Sequence, residues 1–160
     1  MTITKPQKRM VQHGLAVLLV GLIGGFFLAW FVAGSVYFPP IPFTIDYQVP
    51  GSASSWRAVH TGNIMNAILA LVLAMVFNWC DLTERIANRI SWLVVSVIWG
   101  NAIFYIGAVF APNHGLSLGD NAAGEGNLAG IIAFVPAIVA AYFLIGVVIF
   151  LMTKLKKAEE

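Results

Sequence analysis

Charge is what this sequence has least of. Only 10% of its 160 residues are charged, 59% are hydrophobic and the mean hydropathy is +0.85. A soluble domain carries about 25% charged residues, so the chain reads as an integral membrane protein. The net charge of +2 is small and the basic residues are scattered, which excludes a nucleic-acid partner. A lone cysteine, Cys80, excludes an internal disulfide, and the lack of Cys-x-x-Cys-His excludes a thioether-linked haem. Cys80 itself reads as a small apolar residue near a helix end. There is no Ser–His–Asp set, no Gly-rich phosphate loop and no multi-ligand metal cluster. No Asp, Glu or Lys falls inside the apolar stretches, which argues against a proton pump, an ion carrier or a Schiff-base site.

What is present is four apolar segments, over about 14–36, 60–79, 90–111 and 128–152, predicting an all-α integral membrane protein of a single four-helix domain. The first is longer than a signal-peptide core, so a retained helix is expected despite Ala33-Gly34-Ser35. Within it Gly21 and Gly25 form a small-xxx-small pair that lets another helix approach. In the connector that follows, Pro39, Pro40 and Pro42 forbid helix, while Phe43 to Val49 alternates as a short extended or hairpin piece would. Ala129, Ala133, Ala137 and Ala141 form a packing stripe on the fourth segment, which Pro136 is expected to bend. His13, beside the basic arm of Lys5, Lys8 and Arg9, reads as a solvated interfacial histidine.

Four spans place both termini on one side. Lys5, Lys8, Arg9, Arg85, Arg89, Lys154, Lys156 and Lys157 fall on that side and only Arg57 on the other. By the positive-inside rule the termini face the cytoplasm.

Polar groups inside a membrane are costly, so they mark the places to look for function. His60 opens the second span, with Asn63 on its face and Asn66 about 120° round the helix. Counted from the outer span ends, Asn66 and Tyr105 both lie about 9–10 Å deep, with His60 above them and Asn101 one turn below Tyr105. Each has an ordinary alternative. Asn63 and Asn101 can merely tie helices together, Tyr105 can anchor at the interface, and His60 can be a satisfied helix-start histidine. A single histidine in apolar surroundings also suits one axial haem ligand, because the porphyrin supplies the other four donors.

Taken in order, Val49-Pro50-Gly51-Ser52, Trp56, His60, Asn66, Trp99-x-Asn101, Phe104-Tyr105 and Pro112-Asn113-x-Gly115-Leu116 resemble the bacterial styrene oxide isomerases over most of the chain. The resemblance implies a multi-pass protein of the bacterial inner membrane that rearranges lipophilic aryl epoxides to aryl acetaldehydes. It implies a homotrimer with ferric haem b at the subunit interfaces. His60 matches the family's axial ligand, and Asn66 and Tyr105 match the groups that hold the epoxide oxygen. Fe(III) would then act as a Lewis acid, and a 1,2-hydride shift would give the aldehyde. The sequence departs from the family pattern at Val97, where an acidic residue is expected, and at His114, where an arginine is expected. Two other readings stay open: a b-type cytochrome-like electron-transfer subunit with His13 or His114 as second ligand, and a non-enzymatic membrane scaffold.

Overall fold

A polar cap precedes each long apolar segment, and the caps set where the helices begin. In the computed structural model, which describes residues 2–156, Thr4 caps α1 (Lys5–Ala33) in a reciprocal capping box with Gln7. Ser52 caps α2 (Ala53–Val76), Thr83 caps α3 (Glu84–Val109) and Asn127 caps α4 (Leu128–Thr153). Three helices therefore start well before their apolar stretches, at Lys5, Ala53 and Glu84 rather than at residues 14, 60 and 90. Hydropathy locates the part of a helix that sits in lipid, whereas hydrogen bonding locates its end. α1 ends at Gly34, whose φ of 71° suits a residue without a Cβ. A 3-10 turn, Phe77–Trp79, prolongs α2.

All four helices are long and apolar enough to cross a membrane. Their ends are gathered as alternating spans require. Gln7 Nε2 donates to Ala74 O (3.0 Å) and Asn78 Oδ1 (2.9 Å), pinning α1 to the end of α2. The chain's last described residues return to the same place: Asp81 N donates to Lys154 O at 2.8 Å, and Lys156 N to Trp79 O at 2.9 Å. Lys157, assigned above to the basic tail, lies outside the described residues. Cys80 is buried there, with Sγ 3.8 Å from Leu151 O.

The opposite end carries the two longer loops. One holds a two-stranded antiparallel hairpin, β1 (Val36–Phe38) with β2 (Ile41–Ile45), turning through a cis Pro39–Pro40 bond. The fold is thus mostly helical rather than purely so, and the extended piece starts earlier than expected. Pro42 is tolerated because a two-stranded ribbon leaves its missing N–H on an edge. The other loop is built around Asn113, which is fully buried. Its Nδ2 donates to Gly119 O (2.8 Å), its Oδ1 accepts from Gly115 N (3.0 Å), and its own carbonyl accepts from Asn121 Nδ2 (3.0 Å).

Glycines set the spacing between helices. α1 lies on α2 where Gly14 meets Ala70, Gly21 meets Ile64 and Gly24 meets Val59. α3 lies on α4 where Gly107 meets Ala129 and Ala133, then Gly100 meets Pro136 and Ala140. The expected alanine stripe is therefore right for its first half only, and Ala141 is exposed. With 3.6 residues per turn, a strict four-residue stripe drifts off a straight interface. α4 runs through Pro136 without a break.

His13 also departs from expectation. It is half-buried, accepts from Trp99 Nε1 over 3.1 Å, and lies against the rings of Trp92 and Trp99. His13 lies about two turns inside α1, where the tryptophans of α3 cover part of its ring and leave it less solvated than expected.

Candidate active site

α2 starts at Ala53, so His60 lies about two turns inside the helix and not at its start. Its side chain projects onto α1. A Cβ added to Gly25 would lie 2.8 Å from His60 Nδ1 and 3.0 Å from Cε1, so the ring occupies space that only a glycine leaves. His60 Nδ1 is 2.8 Å from Gly21 O. A carbonyl only accepts, so Nδ1 carries the proton in the neutral ring and Nε2 keeps its lone pair. Nε2 forms no hydrogen bond among the described residues. The small-xxx-small pair does admit a helix closely: Gly21 meets the α2 backbone and Ile64, and Gly25 meets the His60 imidazole.

The opposite side of α2 meets α3. Tyr105 lies flat on Gly62, where an added Cβ would come within 2.5 Å of Tyr105 Cε2. One turn further, Asn101 Nδ2 donates to Asn66 Oδ1 over 3.0 Å. Four residues forward on α2 match four residues back on α3, as two antiparallel helices in contact dictate. Asn66 and Tyr105 are thus on consecutive rungs and not at one depth. The count from the sequence began at the outer span ends near residues 60 and 111, whereas α2 begins at Ala53 and α3 ends at Val109. The Tyr105 hydroxyl forms no hydrogen bond among the described residues.

Asn63 is fully buried, and its Nδ2 donates to Val59 O (2.8 Å) in its own helix, so it ties no helices together. Asn63 Oδ1 and Asn66 Nδ2 are both buried without a hydrogen-bond partner. A buried N–H left unpaired costs about 1–3 kcal/mol. An interhelical hydrogen bond in a membrane protein returns about 0.6 kcal/mol on average. The Asn66–Asn101 pair is therefore a poor device for holding helices together. It is a good one for offering an N–H to an acceptor that arrives later.

Sequence reasoning placed His60 above Asn66 and Tyr105 in one pocket, and within a single chain the helix geometry separates them. His60 faces α1, whereas Gly62 and Asn66 face α3, about 160° and 120° round the α2 axis. Pockets lined by Thr4, Gln7 and Asn78, and by Pro50, Ser55 and His114, lie at the two helix ends, away from these three residues.

Comparison with known proteins settles the lineage. A family model described as styrene oxide isomerase matches residues 6–156. The chain belongs to the styrene oxide isomerase family. A curated relative, the styrene-oxide isomerase of Pseudomonas fluorescens, is 27% identical over 132 residues, covering 82% of this chain and 77% of that protein. The match takes in all four helices, so membership rests on the whole bundle and makes the chain an isomerase acting on an epoxide.

Within that family assignment the donor set can be tested against a haem. No group of three or more His, Cys, Asp or Glu is placed to hold a metal ion among the described residues. A porphyrin needs a single imidazole, and His60 is suited to that: its Nδ1–H is fixed by a backbone carbonyl, the usual support for a ligating histidine, and Nε2 is free. The residues fit the group. The chain's other histidines are placed elsewhere, His13 on Trp99 and His114 exposed on the loop between α3 and α4 with φ 56°. A bis-histidine cytochrome pair is not assembled within the subunit. Val97, where the resemblance led to an acid being expected, is fully buried one turn before Asn101.

Sequence reasoning missed Gly62. Its only signal was a glycine inside a helical stretch, which by itself says nothing about which ring will lie on it.

Proposed function

We propose that the chain converts aryl epoxides such as styrene oxide into aryl acetaldehydes, as a four-span protein of a bacterial inner membrane with both termini cytoplasmic. Family membership supports the epoxide, and the single structural observation that carries the reading is the buried, unpaired Nδ2–H of Asn66 one rung from Tyr105. When the benzylic C–O bond breaks, negative charge grows on the departing oxygen. Two preorganised donors, the Asn66 N–H and the Tyr105 O–H, stabilise that charge in a site where water does not compete. The positive charge left at carbon is spread over the aryl ring, and a hydride moves from the neighbouring carbon to complete the aldehyde. The rearrangement is internal and redox-neutral, with no net proton uptake. A site without carboxylates therefore suffices, and apolar walls keep water from diverting the cation to a diol.

Ferric haem b is the proposed cofactor, attached through His60 Nε2, and when bound it supplies a Lewis acid for the epoxide oxygen. A homotrimer with haem at its subunit interfaces is the proposed assembly. It is supported by the separation of His60 from Asn66 and Tyr105 within one subunit, since a site needing all three then draws on neighbouring copies.

The test is direct. Purified protein incubated with styrene oxide should yield phenylacetaldehyde, and the same sample should show a Soret band of high-spin ferric haem. A colourless, well-folded preparation or one producing no aldehyde would overturn the reading. Low-spin bis-histidine iron would favour the cytochrome alternative.

A further inference from the structure

A carboxamide has two ends of nearly equal size, one that donates and one that accepts, and sterics alone do not choose between them. The choice matters at Asn66. Turned one way, its Nδ2–H meets an oxygen gaining negative charge; turned the other, its carbonyl repels that oxygen. The group that meets its oxygen is on the neighbouring helix. Asn101 Nδ2 donates to Asn66 Oδ1 over 3.0 Å, so the accepting end of Asn66 is occupied. The donating end is buried with no partner. Asn101 stands one turn from Tyr105 on α3, so one helix face both supplies one donor and aims the other.

We propose that Asn101 is a positioning residue for the isomerisation: by holding Asn66 Oδ1 it commits the Asn66 N–H to the epoxide oxygen. This rests on the isomerase reading above. Asn101 touches neither substrate nor cofactor in this account, and acts only through Asn66.

That restriction makes it testable in a double-mutant cycle on the haem-loaded protein, with styrene oxide consumption and phenylacetaldehyde formation as the readout. Asn101→Leu should lower kcat about 10–100-fold with KM changed by less than about two-fold, the pattern of a contact made in the transition state. In an Asn66→Ala background the same change should alter kcat by less than about two-fold, because the group it aims has gone. Asn101→Asp, which keeps the shape but accepts instead of donating, should fall as far as Asn66→Ala. Asn101→Gln, which keeps a donor, should recover most of the rate. The Soret band and thermal midpoint of Asn101→Gln and Asn101→Asp should follow the parent protein, which separates aiming from folding.

Additive losses in the double variant, parental kcat in Asn101→Leu, or an Asn101→Asp protein as fast as the parent would each overturn the proposal. Parental kcat in Asn66→Ala would overturn it too, by removing the group through which Asn101 acts. If the parent protein makes no aldehyde at all, the isomerase reading fails and takes this inference with it. An active parent, a slow Asn66→Ala and a fast Asn101→Leu would sink the inference alone.

Discussion

The α1–α2 and α3–α4 contacts are built alike and used differently. Both rely on glycines that remove side chains from the line of contact. On α3–α4, Gly100 and Gly107 receive alanine methyls and the backbone of Pro136, and the result is close helix packing. On α1–α2, Gly21 lets the α2 backbone and Ile64 come close, Gly25 receives the His60 ring, and the Gly21 carbonyl meets its Nδ1. The same sequence signal therefore makes a plain seam in one place and a seam that also seats an imidazole in the other. What separates them is the residue opposite, which a glycine pattern does not report.

The sharpest way to break this comparison is to remove the held group. His60→Ala is expected to lose haem and activity together, checked by the Soret absorbance and aldehyde assay on one sample. Retention of stoichiometric haem would show that the α1–α2 seam is only a seam. Next comes the α3 side of the site. Tyr105→Phe should keep the haem yet lose about 10²–10³-fold in kcat, the usual effect of removing one oxyanion donor. Normal turnover would reassign Tyr105 to packing on Gly62.

The two seams can then be compared directly by adding one methyl to each. Gly25→Ala places a Cβ 2.8 Å from His60 Nδ1 and should weaken haem binding about 10–100-fold, as loss of a ligand's support does elsewhere. Gly107→Ala places a Cβ 3.0 Å from that of Ala133. It should cost about 1–3 kcal/mol of stability by overpacking, with kcat per folded molecule unchanged. Equal effects on haem titration from the two variants would erase the distinction. The smallest effect is expected where neither seam is touched. Cys80 lies just beyond α2, and burial pushes its thiol pKa up although nearby Lys156 opposes this. It should alkylate slowly at neutral pH, where little thiolate forms, and Cys80→Ala should change turnover by less than about two-fold.

Much of the bundle was legible because lipid imposes a length and a polarity on anything that crosses it. Four apolar stretches separated by charged or Pro- and Gly-rich turns leave few other layouts. Helix starts were less legible, since they depend on Thr4, Ser52 and Thr83, polar residues outside the apolar runs. That shift changed the reading of two histidines, moving His13 against Trp99 and His60 into the interior of α2. The alanine stripe failed at Ala141 because a repeat of four does not match the turn of the helix.

By itself the sequence determined the number of helices long and apolar enough to span a membrane and the identity of the polar residues placed among them, because the hydropathy of a segment follows from its own residues. The tertiary structure decided which partner each of those residues meets: Gly21 for His60, Gly62 for Tyr105, Asn101 for Asn66. Those pairings join residues 35 to 43 positions apart, set by the rotation and axial offset of one helix against another. Rotation and offset are properties of the packed pair, and neither helix carries them alone.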